Sequence, residues 1–302
     1  MKAVVLHEYG GPDKLKYEEW DDPKAGDGQI LIRVAAAGIN PIDWKIRSGA
    51  MKTFVPLELP AILGYDYSGV VLSVGKGVEG YAEGDKVFGR ASKAYAELVL
   101  ADLAGSSKLP KGLDHIEAAA LPVVLNTGEQ LIVEAGKVQS GQTVVITGAL
   151  GSVGRTAVWV AKKLGAHVIA GVRGSQKKAA EELGADALLA LDSRQEMDSL
   201  GLVEVVADTI GGNVGDALMA KVKPGGTYAS VVGPPPNAKL HPTVKVEAFG
   251  SHADAASMRS LAEEIANGKF RIPVERTMPL ADAAKAHAEA EKGGIGKVLL
   301  LA

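Results

Sequence analysis

The chain contains no cysteine among its 302 residues. Without thiols it can form no disulfide, no thiolate nucleophile and no cysteine-containing zinc site. The six histidines are scattered, because no two of them are three or four residues apart, the spacing that would let two imidazoles face one metal ion. The sequence therefore predicts no metal site.

An excess of charge of one sign is also missing. The chain has 33 basic and 36 acidic residues, a net charge of -3, and the basic residues are spread along its length. No apolar run reaches the roughly 18 residues of a membrane span. The N-terminus, MKAVVLHEYG, lacks the apolar core and cleavage site of a signal peptide. We therefore expect a soluble cytoplasmic protein with no nucleic-acid or membrane partner.

What the chain does have is a glycine-spaced turn that directly follows an apolar β-type run. Residues 144–154 read VVITGALGSVG, and residues 155–164 continue with helical spacing. The order strand, turn, helix is that of a dinucleotide-binding βαβ unit, with a purely structural turn as the alternative. Glycines let the chain reverse and approach a pyrophosphate, and the helix N-terminus offers N–H groups to the anion. The expected cofactor contacts are Gly148, Leu150, Gly151, Ser152, Val153 and Gly154.

The pattern of predicted strands and helices changes near Leu121. The first third has short β-type runs, including 94–99, separated by Gly, Pro and Asp, which is typical of a barrel-like all-β domain. Helices and strands then alternate, with strands at Thr143–Thr147 and His167–Val172 and a helix at 256–267. The predicted fold is α/β: a doubly wound Rossmann domain with a parallel sheet at 122–267, and a discontinuous β-barrel domain at 1–121 and 268–302.

The residues after the second strand of the βαβ unit bear on the choice of cofactor. NAD-binding units of this kind end that strand with an acidic residue for the ribose 2′-hydroxyl. Here the strand HVIAGV ends at Val172, and no carboxylate follows before Glu181. Arg173, Ser175 and Lys177 suit a 2′-phosphate instead, so NADPH is expected rather than NADH. The alternative is that these cations are ordinary solvated charges at a helix start.

Several segments in fixed order resemble a known family: 35–49 (AAAGINPIDWKIRSG), 63–71 (LGYDYSGVV), 84–89 (GDKVFG), 119–131 (AALPVVLNTGEQL), the glycine turn and 208–212 (DTIGG). The chain is similar to the zinc-free quinone oxidoreductase and enone reductase branch of the medium-chain dehydrogenases/reductases. The resemblance implies that the β-barrel domain is the GroES-like catalytic domain. It also implies a homodimer formed by extension of the sheet edge of the dinucleotide domain.

The resemblance also bears on the chemistry. Zinc-dependent members place a cysteine and a Gly-His-Glu motif where this chain has Asn40 and the triplet Gly64, Tyr65 and Asp66. It therefore implies zinc-independent hydride transfer from NADPH to an acceptor that is already electrophilic. A small-molecule quinone, or the β-carbon of an α,β-unsaturated carbonyl, is such an acceptor.

Three residues are expected at the reacting centre. Lys45 would donate to the substrate oxygen as negative charge develops there, the alternative being a surface lysine paired with Asp43. Asn40 would hydrogen-bond the substrate or a neighbour, or is only a turn residue before Pro41. Tyr65 would lend a hydroxyl or stack on the nicotinamide ring, or only pack.

Further residues are expected around this centre. Asp66 is expected to anchor Lys45 or Arg47 rather than to act as an acid. Thr127 resembles the family threonine that lies near the nicotinamide carboxamide, although Gly128 stands where an alanine commonly follows. The loop 232–236 (VGPPP), with Val232 and Gly233, should line the cofactor cleft.

Two other functions stay open on the sequence. One is a non-catalytic NADPH-binding sensor or structural protein. The other is an enoyl-thioester reductase, which would need a basic groove for a phosphopantetheine arm.

Overall fold

The computed structural model describes residues 1–294 and 296–302. The chain divides into two compact units, of which the first comprises Met1–Val123 and Ala253–Ala302 and the second Val124–His252. The second boundary therefore differs from the expected 267/268. The segment 253–267 belongs to the first unit because its helix packs against the strand Ser106–Lys108 and the turn Leu103–Gly105. Alternation of helix and strand predicts the element, but it does not say which core the element joins.

The strands are β1 Lys2–Leu6, β2 Leu15–Glu19, β3 Gln29–Gly38, β4 Ala61–Ile62, β5 Asp66–Val74, β6 Lys86–Arg90, β7 Leu98–Asp102, β8 Ser106–Lys108, β9 Thr143–Thr147, β10 His167–Val172, β11 Ala187–Ala190, β12 Val203–Asp208, β13 Val222–Ser230, β14 Lys245–Ala248, β15 Val274–Pro279 and β16 Lys297–Leu301. The helices are α1 Pro41–Arg47, α2 His115–Ala119, α3 Pro122–Gln130, α4 Ser152–Lys163, α5 Lys177–Ala180, α6 Arg194–Ser199, α7 Gly212–Met219, α8 Ala255–Ala266 and α9 Ala283–Glu291.

The first unit is built on two sheets in the part of the chain that the structure describes. One has the order β2-β1-β4, and the other runs β15-β16-β3-β5-β6-β8 with β7 also paired to β3. Strand β3 alternates buried and less buried residues, so Ile30, Ile32 and Val34 face the core. The expected strand at 94–99 is displaced, since β7 begins at Leu98 and Ala96 makes only an isolated bridge to Ala3.

The second unit is the expected doubly wound parallel sheet, with the order β11-β10-β9-β12-β13-β14. Strand β9 is central, and Val144, Val145 and Ile146 are all buried, as in a strand covered on both faces. The chain proceeds outward from β9 to β10 and β11 on one side and to β12, β13 and β14 on the other. The order therefore reverses at β9, and the carboxyl end of such a switch point is where doubly wound folds bind ligands.

Candidate functional site

The glycine-spaced turn lies at the carboxyl end of β9 and leads directly into α4. Gly148 has a φ of +60°, a left-handed conformation that favours glycine. A Cβ on Gly154 would lie 2.2 Å from the carbonyl oxygen of Gly148, so only glycine fits there. The N–H of Arg155 donates to the carbonyl of Gly151 at 2.8 Å. The N–H groups of residues 152–154 precede that bond in the chain, and such groups bind an anion at a helix N-terminus.

Arg155, in the first turn of α4, stabilises the glycine-spaced turn by hydrogen bonding. Its Nε donates to the carbonyl of Leu150 at 3.0 Å, and its Nη2 donates to Glu182 at 2.7 Å. Both Arg155 and Leu150 are buried. The guanidinium therefore fixes the shape of the turn and has a carboxylate partner of its own.

The basic residues after β10 divide into two kinds. Lys177 donates to both carboxylate oxygens of Glu196 at 2.7 Å, and this ion pair lowers the pKa of Glu196 below its ordinary value. Arg173 and Ser175 are exposed. Among residues 1–294 and 296–302, the guanidinium of Arg173 has no hydrogen-bond or ion-pair partner. Of the two predicted phosphate-binding cations, Arg173 is thus uncompensated and Lys177 is neutralised within the protein.

Three further predicted contacts lie in the same unit, Thr127 within α3 and Val232 and Gly233 in the loop after β13. Thr127 is buried and donates from Oγ1 to Ser251 Oγ at 2.8 Å. A Cβ on Gly128 would lie 2.5 Å from the Cβ of Thr156 in α4, which explains why glycine follows the threonine in this chain. Val232 is exposed two residues after the end of β13, and Gly233 follows it with a φ of +103°.

In the first unit, Asn40 is committed to an internal network. Its Nδ2 donates to Asp66 Oδ2 at 2.8 Å, and its Oδ1 accepts from the ammonium of Lys297 at 2.6 Å. All three side chains are buried. Asn40 also directly precedes α1, whose first residue is Pro41, a favoured position for proline. The side chain therefore ties the start of α1 to β5 and β16.

Asp66 anchors Lys297, so the expectation that it anchors Lys45 or Arg47 is wrong. The ammonium of Lys297 lies 3.4 Å from Asp66 Oδ2 and also donates to the carbonyl of Ile39 at 2.9 Å. Burial lowers the pKa of Lys297, while Asp66 acts in the opposite direction. Sequence reasoning missed Lys297; the only signal was a lysine at the start of an apolar strand, KVLLL.

Asp43 is likewise bonded within the first unit, which removes the predicted alternative partner of Lys45. Its Oδ2 accepts from the backbone N–H of Asn40 at 2.7 Å and from the hydroxyl of Tyr95 at 2.8 Å. Burial raises the pKa of Asp43 to about 7. Lys45 is partly exposed, and its ammonium has no hydrogen-bond or ion-pair partner in the described part of the chain.

Arg47 and His287 are buried side chains of a second polar cluster, which packs against Tyr95, the hydrogen-bond partner of Asp43. It forms an ion pair with Glu291 at 2.6 Å and contacts Nδ1 of His287 at 3.2 Å. The rings of His287 and Tyr95 pack edge to face at 5.5 Å. Burial, and then the charge of Arg47, lower the pKa of His287 to about 3. His287 is therefore neutral at physiological pH, and its Nδ1 accepts from the guanidinium.

Tyr65 differs from Asn40 in keeping its polar group free. The ring is partly buried, which raises the pKa of its hydroxyl, and this hydroxyl bonds none of the residues that the structure describes. Lys45 and Tyr65 thus have donors available to a ligand, whereas both polar atoms of the Asn40 side chain are used internally.

The described ranges 1–294 and 296–302 contain no group of three or more His, Cys, Asp and Glu side chains placed to hold a metal ion. A search of the same ranges finds no helix with the length and apolarity needed to cross a membrane.

Two family models match the chain. Residues 26–111 match the alcohol dehydrogenase GroES-like domain, and residues 183–300 match the model described as zinc-binding dehydrogenase. The first match lies within the first unit, so that unit is the GroES-like domain that the sequence resemblance implied.

Individual proteins are similar over longer stretches. An NADPH-dependent alkenal/one oxidoreductase from Arabidopsis thaliana is 33% identical over 77% of this chain, which spans 63% of the length of that relative. A mitochondrial NAD(P)H oxidoreductase from Mus musculus is 30% identical over 97% of this chain and 87% of its own. The structure of the quinone oxidoreductase from Coxiella burnetii has a TM-score of 0.89 at 29% identity, covering 100% of this chain and 99% of the other. By sequence and by fold, this chain belongs to the medium-chain dehydrogenase/reductase family.

Proposed function

We propose that this protein is an NADPH-dependent oxidoreductase that transfers a hydride, without zinc, to a quinone or to the β-carbon of an α,β-unsaturated carbonyl. The observation that carries the proposal is that two features occur together at the carboxyl ends of neighbouring strands. A glycine turn follows β9 at the switch point of the sheet, and Arg173, which has no ionic partner among the described residues, follows β10. The names of the Arabidopsis and Coxiella relatives support the same reaction.

The second unit offers groups that suit the pyrophosphate, the 2′-phosphate and the nicotinamide half of NADPH. The turn of residues 148–154 would bind the pyrophosphate through backbone N–H groups. Arg173 and Ser175 would bind the 2′-phosphate, with charge-assisted hydrogen bonds from the guanidinium. Lys177 does not need to take part, because it neutralises Glu196. Thr127, Val232 and Gly233 are proposed contacts of the nicotinamide half.

Bound NADPH would supply the hydride, and the protein would supply position and electrostatics. When a hydride reaches an enone or a quinone, the carbonyl oxygen gains negative charge, so a donor aimed at that oxygen lowers the barrier. We assign this role to Lys45, whose ammonium has no described partner, with Tyr65 as a second free donor. Asn40 would act indirectly, since it holds the start of α1 through Asp66 and Lys297.

The zinc-independent chemistry is supported by the donor set at the corresponding positions. An amide, a phenol and a carboxylate occupy positions 40, 65 and 66, and the ammonium of Lys297 approaches both Asn40 and Asp66. A cation bound at these positions would have to displace the ammonium of Lys297 from the side-chain oxygens of Asn40 and Asp66. The ammonium of Lys297 supplies the positive charge that pairs with the carboxylate of Asp66, so this cluster does not need a metal cation.

The direct test is NADPH oxidation, followed by absorbance, with a panel of small quinones and α,β-unsaturated ketones and aldehydes, with and without a chelator. We expect turnover that the chelator leaves unchanged and that NADH supports poorly. Tight NADPH binding without turnover on any acceptor would refute the reaction and favour a non-catalytic NADPH-binding protein. Turnover on enoyl thioesters alone would favour an enoyl-thioester reductase. The homodimer and the cytoplasmic location stay predictions.

A further inference from the structure

Asp208 is a fully buried carboxylate at the carboxyl end of β12. Its Oδ1 accepts three hydrogen bonds: from Thr147 Oγ1 at 2.8 Å and from the backbone N–H groups of Ile210 and Gly211 at 3.0 Å each. An ionised carboxylate can only accept, and here every group directed at this oxygen is a donor. One atom therefore joins the end of β9 to the loop that follows β12.

The second oxygen extends the same network to the next strand. Oδ2 of Asp208 accepts from the hydroxyl of Ser230 at 3.3 Å, and the Ser230 oxygen accepts from the N–H of Val232 at 3.1 Å. The backbone carbonyl of Asp208 also accepts from the N–H of Val231 at 3.1 Å. The loop that carries Val232 and Gly233 is thus held to the same residue.

The network also reaches the glycine turn. Thr209 donates its N–H to Thr147 Oγ1 and its own hydroxyl to the carbonyl of Thr147, each at 2.8 Å. A Cβ on Gly148 would lie 2.5 Å from Thr209 Oγ1, so the loop after β12 lies directly against the first residue of the turn. Displacement of Asp208 would therefore be transmitted to Gly148.

The strand order says which half of a dinucleotide this network would affect. Arg173 follows β10, on one side of β9, whereas Asp208 and Ser230 end β12 and β13, on the other side. A dinucleotide bound across the carboxyl ends, with its pyrophosphate at the β9 turn and its 2′-phosphate at Arg173, must place its nicotinamide half over β12 and β13.

We propose that Asp208 is a positioning residue for NADPH, acting through Thr147 and Ser230 to hold the loops that receive the nicotinamide half of the cofactor. This inference rests on the proposed NADPH binding and adds a residue that needs no contact with the cofactor. In Asp208→Asn, an amide NH₂ replaces one acceptor oxygen, so at least one of the donors facing the side chain loses its partner.

The experiment compares two ligands by isothermal titration calorimetry: NADPH and adenosine 2′,5′-bisphosphate, which carries the 2′-phosphate half without the nicotinamide. Asp208→Asn should weaken NADPH binding by about tenfold or more, the effect of losing one or two buried hydrogen bonds. Binding of the bisphosphate should fall by much less, because that ligand lacks the nicotinamide half that the loops after β12 and β13 would receive. Equal loss for both ligands would reduce Asp208 to general support of the domain, and unchanged NADPH binding would also overturn the proposal.

Thr147→Val offers a milder variant in case the first one fails to fold, since it removes only the hydroxyl that links Asp208 to Thr209. It should show the same selective loss for NADPH. Thr143→Val, at the amino end of the same strand, is the matched control and should leave both affinities unchanged. Because the readout is binding, a wild-type protein that binds NADPH but reduces no acceptor refutes the proposed reaction and leaves this inference standing. A wild-type protein that does not bind NADPH refutes both.

Discussion

The ammonium of Lys297 donates to Oδ1 of Asn40 at 2.6 Å, and these two residues are 257 positions apart in the chain. The same amide donates from Nδ2 to Asp66 at 2.8 Å. The side chain of Asn40 therefore lies between a buried cation and a buried anion, and its orientation is fixed from both ends. Since Asn40 directly precedes α1, the same contacts position the helix that carries Lys45.

Removal of Lys297 should be costly, because it removes the ammonium that lies 3.4 Å from the buried carboxylate of Asp66. We expect Lys297→Met to lower the free energy of unfolding by about 3 to 5 kcal/mol, as for other broken buried ion pairs. The double variant Lys297→Met with Asp66→Asn should recover part of that loss. Guanidinium denaturation of the wild type, the single variants and the double variant measures the coupling. Strict additivity of the two single effects would show that the charges do not interact.

Lys45 should affect turnover rather than stability or cofactor binding. If its ammonium stabilises the developing negative charge on the substrate oxygen, Lys45→Met should lower kcat on the order of 100-fold. The Kd for NADPH should stay unchanged, because the variant alters no residue proposed to bind the cofactor. Lys76→Met, which removes an exposed ammonium elsewhere in the first unit, is the matched control. Equal turnover of the two variants would return Lys45 to an ordinary surface lysine.

Arg173 and Lys177 should behave differently, although the sequence alone makes them look equivalent. Arg173→Glu removes an uncompensated cation, so the KM for NADPH should rise about 10- to 100-fold while the KM for NADH changes little. Lys177→Glu places a carboxylate against Glu196, so it should lower thermal stability and affect both cofactors alike. Steady-state kinetics with each cofactor, together with melting temperatures, separates the two effects. A selective loss of NADPH in Lys177→Glu would mean that the ion pair with Glu196 opens to bind the phosphate.

The elements that can best be predicted from the sequence are those whose signal lies within their own residues. Strands Thr143–Thr147 and His167–Val172 were predicted with the bounds that the structure gives, because a continuous apolar run bounded by polar residues is itself the signature of a buried parallel strand. Helix α1 was not predicted, since it spans only Pro41–Arg47 and its stability comes from tertiary contacts.

The candidate site was predictable only in part, for a similar reason. The glycine turn is a local motif with a specific spacing, so its position between β9 and α4 could be predicted from the sequence. Asn40, Asp43 and Asp66 have side-chain partners in distant parts of the chain, and no local sequence pattern predicts these contacts. The pairing of Lys177 with Glu196 is of the same kind, since it joins residues in different helices.

Asp43 and His287 should make opposite contributions to the pH dependence of stability. The folded-state pKa of Asp43 is about 7, above its ordinary value of 3.8, so its contribution is fully present below 3.8 and is lost as the pH rises through 7. The folded-state pKa of His287 is about 3, below its ordinary value of 6.5, so its contribution is present above 6.5 and is lost as the pH falls through 3. Between about pH 4 and 6.5 the two slopes have opposite signs.

In the wild type, the contributions of Asp43 and His287 to the slope of the unfolding free energy against pH largely cancel. Single substitutions should therefore reveal each contribution. Asp43→Asn keeps a neutral side chain at all pH values and leaves the contribution of His287, so its unfolding free energy, relative to the wild type, should rise with pH between 4 and 6.5. His287→Asn, whose amide oxygen can replace Nδ1 as acceptor for Arg47, should show the reverse. Each relative slope is limited to about 1.4 kcal/mol per pH unit for one titrating group. Guanidinium unfolding at half-unit pH intervals measures both profiles, and parallel curves for the two variants and the wild type would contradict the assignment of a protonated Asp43 and a neutral His287.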